Sequence, residues 1–145
     1  MFDDIYNRKI LELAANIPRL GRLEAPQASA EVHSRLCGSS IVVDLSLADG
    51  KVADYAQDVK ACALGQTAAS VMGRHIIGAT PEELRALRDA MRRMLKENGP
   101  PPEGRFADAG VLEPARDYKA RHGSMMLVFD AVVAALDKIE AGVAA

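Results

Sequence analysis

Few side chains in this sequence suit nucleophilic or metal-binding chemistry: two cysteines, Cys37 and Cys62, and three histidines, His33, His75 and His122. A cysteine acts as its thiolate, both as a nucleophile and as a soft-metal ligand. Two thiolates with an imidazole would suit zinc or an iron–sulfur cluster. Cysteine spacing alone does not separate such a pair from two small buried hydrophobes. Other templates are absent. There is no CxxC, HExxH or GxSxG, no glycine-rich dinucleotide motif and no phosphate loop. Asp3-Asp4 and Glu82-Glu83 fit helix starts better than acid–base work, and Met91, Met94, Met125 and Met126 fit a core.

The elements that must position these residues follow from hydrophobic periodicity. Residues 3–16 have helical spacing, with acidic residues first and Pro18 and Gly21 beyond the end. Ile41, Val43, Leu45 and Leu47 alternate with Val42, Asp44, Ser46 and Ala48, as in a strand with one apolar face. Asp49-Gly50 is a two-residue hairpin turn. Tyr55, Val59 and Ala61 then mark a second strand. The stretch AEVHSRL (30–36) supplies a third, with Val32, Ser34 and Leu36 on one side and a bend at Gly38. A three-stranded antiparallel meander is expected.

From Cys62 the period becomes helical. Thr80, Pro81 and Glu83 form a capping box for the next helix, with Leu84, Leu87, Met91, Met94 and Leu95 as its apolar stripe and Gly99 after its end. Residues 108–116, with Pro114, give a short helix and a turn. A last helix runs from near Ser124 to about Ala141. Strands and helices are segregated, so the class is α+β: a three-stranded antiparallel sheet packed against several helices, in one domain spanning 1–145.

This map places Cys37 in the bend before the hairpin and Cys62 where the hairpin returns, at the same end of the sheet. Cys62 also opens a helix, where the dipole and free N–H groups favour a thiolate. His122-Gly123-Ser124 lies at another helix start. Locally, Ser124 reads as an N-cap and His122 as a solvated turn residue, while convergence on the cysteines would make a metal site. His33, on the exposed side of a strand, and His75, at a helix end, read as structural.

Composition narrows the classes. Hydrophobic residues at 49% allow a sizeable core, but aromatics are only 4% and Trp is absent, so Leu, Val, Ile, Met and Ala must fill it. A net charge of -2 argues against general nucleic-acid binding. The start MFDDIYNRKI does not read as a signal peptide, so none is expected, and the longest apolar runs are too short for a bilayer. A soluble, cytoplasmic protein without membrane or nucleic-acid partners is expected.

The stretch RLCGSSIVVDLSLADGKVADYAQDVKACALGQTAASVM, flanked by IYNRKILELAANIPRLGRLEAP and ARDYKARHGSMMLVFDAV, resembles the U-type iron–sulfur cluster assembly scaffolds over nearly the whole chain. That group comprises IscU, SufU and the N-terminal domain of NifU, and the insertion before the last segment is most like SufU. The resemblance implies the SufE/NifU-like fold. It implies a scaffold or carrier without turnover of its own, which accepts sulfur from a cysteine desulfurase, binds iron or zinc with a transient cluster, and passes it to acceptor apo-proteins.

By the resemblance, Cys37 and Cys62 match the first two ligand cysteines, 24 residues lying between them. Ser39 stands where the family has an aspartate. The third cysteine is missing. In one register His122 takes the ligand histidine and Gly123 replaces the cysteine. In the other, which suits the helix phase better, Ser124 replaces it. The implied metal ligands are thus Cys37, Cys62 and His122, with Lys119 and Arg121 docking an acidic desulfurase surface. A site short of one ligand is open to a borrowed one, and a homodimer is one source. Three rival readings are a zinc-binding modulator of a desulfurase, a metal-free modulator, and a persulfide-accepting sulfurtransferase using Cys62.

Overall fold

The computed structural model describes residues 7–35 and 38–142. The expected acidic helix start at Asp3-Asp4 and the first cysteine, Cys37, lie outside the described residues. Helix α1 runs Arg8–Ala15, capped by Asn7, whose side chain accepts from the Ile10 N–H at 3.0 Å. Strands β1 (Ala28–His33), β2 (Ser40–Ala48) and β3 (Lys51–Lys60) follow. Helices α2 (Ala63–His75) and α3 (Pro81–Lys96), a kinked 3-10 stretch (Gly104–Asp117), a short 3-10 turn (Lys119–Arg121) and helix α4 (His122–Glu140) complete the chain.

The sheet is the expected meander, in order β1-β2-β3 and antiparallel throughout. Asp49 and Gly50 turn the hairpin with φ of 54° and 75°, the left-handed pair that matches strand twist. Ser46 faces Asp54 while Leu47 faces Val52, so Ala53 is an extra residue in a bulge. Strand β1 begins earlier than expected and stops at His33 rather than reaching 36. The reason is local: the Ser34 N–H bonds the Ser39 carbonyl and the Gly38 N–H bonds the Ser34 carbonyl, closing the connection, with Gly38 at φ 66°.

The inner face of the sheet presents Ala28, Ala30, Ile41, Val43, Leu45, Val52 and Tyr55, all buried, and α4 packs across β1 and β2. Small residues of α2, Ala68, Ala69 and Gly73 among them, let it nest between α1, β3 and α4. The α3 capping box is present, and its five expected stripe residues are all buried. Its end differs in one detail: Asn98, not Gly99, takes the left-handed conformation, at φ 54°.

The segment after α1 seals the sheet edge. Arg19 takes φ 59° so that its carbonyl accepts from the Gln57 N–H, and the Gly21 N–H returns to the Gln57 carbonyl. The buried Gln57 amide donates to the carbonyls of Pro18 and Ala69 and accepts from the Tyr55 hydroxyl. The chain then covers Asp44, whose side chain is 0% exposed although it lies on the outer face of β2. Its carboxylate accepts from Arg22 Nε at 2.6 Å, Arg22 Nη2 at 3.0 Å, the Leu23 N–H at 3.0 Å and the Ser29 hydroxyl at 2.5 Å.

Burial pushes the Asp44 pKa up, but the hydrogen bonds from Arg22, Ser29 and Leu23 outweigh it and hold the group below its ordinary value. A lowered folded pKa gives stability that is complete above the unfolded pKa and is lost as pH falls through the folded one. Asp44→Ala is expected to cost roughly 1–3 kcal/mol at neutral pH, because it leaves the partly buried Leu23 N–H and Ser29 hydroxyl without their acceptor. In urea titrations the gap between variant and wild type should close as the pH drops below the ordinary carboxylate range.

Candidate functional site

The site forms where the starts of two helices meet the end of the sheet. Ser40 pairs with Lys60, so the chain entering β2 lies beside the chain leaving β3. Two residues past Lys60, Cys62 is the N-cap of α2, as the sequence indicates. Its thiol is half-buried and not in a disulfide. Cys62 Sγ lies 3.3 Å from Ser124 Oγ, and Ser124 Oγ lies 3.3 Å from Ser39 Oγ. The two hydroxyls are buried, at 1% and 4% exposure.

Ser124 is therefore not an N-cap. The chain enters α4 through the 3-10 turn without a break, Arg121 stands at the cap, and Ser124 belongs to the first helical turn. Gly65 makes the approach possible. A Cβ at 65 would collide with Ser124 Oγ and lie 2.8 Å from the Ala61 Cβ. Gly123 plays the same part toward the sheet: a Cβ there would lie 2.6 Å from Ser34 Oγ.

Cys62 is surrounded by groups that favour its anion. Burial pushes its pKa up, but the Ser124 hydroxyl, the N–H groups of Gly65 and Leu64 and the positive charge of Arg121 bring it below the ordinary thiol value. Of the two cations expected at the site, Arg121 thus acts on Cys62. Lys119, in the same short turn as Arg121, lines a cavity of about 310 Å³ with Leu95, Lys96 and His122.

His122 is not a solvated turn residue: it is 7% exposed, within α4. Its Nε2 lies 2.6 Å from the Arg116 carbonyl. A carbonyl only accepts, so Nε2 carries the proton, and in the neutral ring Nδ1 holds the free lone pair. Among the described residues no three of His, Cys, Asp and Glu gather as a metal site. His33 pairs with Glu31 at 3.0 Å on the exposed face, and His75 pairs with Asp108 at 3.0 Å.

The structure thus gathers Cys62, Ser124, Ser39 and Arg121, and it turns His122 toward Arg116. The clearance at Gly65 was missed by sequence reasoning. Its only signal was a glycine three residues after the cap in a run of small residues.

A thiol capping a helix beside the β1–β2 connection, on a three-stranded meander covered by helices, defines an α+β thiol-site domain. The chain belongs to the NifU-like N terminal domain family, which matches residues 5–125. A crystal structure of a nitrogen-fixing NifU-like protein (N-terminal) from Brucella abortus is 61% identical, with a TM-score of 0.95 over 97% of each chain. The iron–sulfur cluster assembly scaffold protein IscU of Thermotoga maritima is 29% identical over 140 residues, 96% of this chain and 97% of the relative. A crystal structure of a scaffold protein for the SUF system from Fervidobacterium islandicum AW-1 shares the fold, with a TM-score of 0.84 at 20% identity over 92% of this chain and 98% of that one. The resemblance to the U-type scaffolds and the α+β class are both borne out. Among the described residues no helix is long and apolar enough to cross a membrane.

Two outcomes follow from the packing. Ser124→Ala removes the hydroxyl that stabilises the thiolate, so the pH midpoint for alkylation of Cys62, followed in a Cys37→Ala background, should move up. Gly65→Ala should cost about 2 kcal/mol by overpacking, read from urea denaturation.

Proposed function

We propose that this protein is an iron–sulfur cluster assembly scaffold or carrier of the cytoplasm. It takes sulfur from a cysteine desulfurase and passes iron and sulfur, its cargo, to acceptor apo-proteins. The observation that carries this reading is Cys62: a half-buried thiol at the start of α2, held toward its anion by the Ser124 hydroxyl, two backbone N–H groups and Arg121. Membership of the NifU-like family supports it.

The sulfur step needs no added oxidant. The Cys62 thiolate attacks the outer sulfur of a persulfide on the desulfurase. A new S–S bond forms at Cys62, the old one breaks, and the desulfurase cysteine leaves as a thiolate. The protein turns nothing over. Lys119 and Arg121 offer positive charge to an acidic rim of that partner. Cys37 and Cys62 are the proposed metal ligands, with His122 as an auxiliary one that would have to turn from the Arg116 carbonyl to reach Cys62.

A second reading is a persulfide-accepting sulfurtransferase. It is favoured by the groups around Cys62, which stabilise a thiolate without any metal.

Anaerobic reconstitution with ferrous iron and sulfide separates the two. Wild type should develop sulfur-to-iron charge-transfer bands with bound iron, and both Cys37→Ala and Cys62→Ala should lose them. Sulfur acceptance that requires Cys62 while no bands form would establish the sulfurtransferase reading instead. If neither cysteine affects iron or sulfur binding, the scaffold reading is wrong.

A further inference from the structure

The cavity beside the 119–121 turn has a chemistry of its own. It is lined by Leu95 and Lys96 at the end of α3, Lys119 in the turn and His122 at the start of α4. Two of these four residues carry ammonium groups, and none carries a carboxylate. Both lysines are exposed. Among the described residues neither is in a salt bridge, and Lys96 acts on Asp130 only at longer range, after Arg92 and Arg88. Their charges are therefore there to be met by a ligand's.

His122 supplies a third contact. It is 7% exposed, and the bond from Nε2 to the Arg116 carbonyl decides which edge of the ring is left over. In the neutral ring Nδ1 keeps its lone pair and can only accept. Among the described residues it meets no donor, yet the sealed polar atoms that lack a partner lie on Arg85, Arg88 and Asp130. Nδ1 is thus not closed off in the core, and the ring opens toward the cavity that it lines.

These features select a ligand by class. Two cations without a counter-charge favour a dianion. The imidazole lone pair favours a ligand that also brings a hydroxyl. Leu95 offers an apolar wall to a short carbon chain, and a volume of about 310 Å³ stands at the small end of ligand pockets. We infer that this cavity binds a small hydroxylated dicarboxylate, with its carboxylates at Lys96 and Lys119 and its hydroxyl donating to His122 Nδ1. The site uses His122 as the structure holds it. It needs neither a cysteine nor a metal, so it stands apart from the scaffold reading.

Malate and succinate are the probes, because they differ by one hydroxyl. Calorimetric titration of the whole chain at about pH 8, where both are dianions, should give malate roughly 3–10-fold the affinity of succinate, the worth of one net hydrogen bond. Lys96→Gln and Lys119→Gln should each weaken both ligands by roughly 2–5-fold and leave their ratio unchanged. His122→Phe keeps a ring without the acceptor and should bring the ratio to one. Circular dichroism checks its fold. If His122→Phe does not fold, nitrogen NMR of wild-type His122 takes its place: the Nδ1 resonance should move with malate and stay with succinate.

The inference is overturned if malate does not bind, if wild type binds both dicarboxylates equally, or if neither lysine substitution changes the affinity. An acidic peptide that binds through Lys96 and Lys119 where malate does not would also overturn it, since the surface would then serve a protein partner. A protein that takes up neither sulfur nor iron but distinguishes malate from succinate loses the scaffold reading and keeps this site.

Discussion

The close approach of two helix starts at Gly65 is the constraint on which the site depends. Cys62 is delivered by the end of β3 and Ser39 by the start of β2, so the sheet alone brings these two to one end. Ser124 comes from a helix that crosses the sheet's inner face, 62 residues further along the chain than Cys62. Only a residue without a Cβ at 65 lets its hydroxyl reach the thiol. Gly123 lets the same helix settle against Ser34, in the connection that carries Ser39. Two glycines on different helices thereby convert general packing into hydrogen-bond distances.

The same physical device appears twice in this molecule. Asp44 is held as an anion by an arginine, a serine hydroxyl and a backbone N–H. Cys62 is stabilised by a serine hydroxyl, two backbone N–H groups and an arginine's charge. In both, burial opposes the anion and directed donors outweigh it. The difference lies in access. The Asp44 side chain is wholly covered, and its bonds pin the Arg22–Leu23 segment to the sheet. Cys62 is half-buried, so its sulfur can meet another molecule. One group pins a segment of the chain to the sheet, and the other is only half-covered.

Much of this was legible in the sequence because it is local. Alternation of apolar residues gave β2 and β3, Asp49-Gly50 gave the turn, and Thr80, Pro81 and Glu83 gave the start of α3. Each of these signals acts over a few residues, where backbone sterics and hydrogen bonding decide. That topology also led to the expectation that Cys37 and Cys62 share one end of the sheet; Cys62 lies at the end where β2 begins, and Cys37 is outside the described residues. What was hidden depends on distant packing. Asp44 has the parity of a solvent-facing residue and is buried because a segment 21 to 22 residues upstream folds over it. The length of β1 is set by hydrogen bonds closing Ser34 to Ser39, which leave no trace in periodicity.

The start of α4 illustrates the limit best, since the sequence admitted two registers for it. Residues two apart on a helix point about 200° from each other, so His122 and Ser124 cannot face the same neighbour. The azimuth is fixed by how the 3-10 turn at 119–121 runs into the helix, and that turn is anchored by the Arg121 N–H on the Tyr118 carbonyl. The result turns His122 to Arg116 and Ser124 to Cys62. A rotation of one residue, about 100°, would carry Ser124 away from Cys62 and leave the thiol without its hydroxyl partner. The residue that stands beside Cys62 is thus chosen by the phase of a helix, and the chemistry of the site follows from that phase as much as from the side chains themselves.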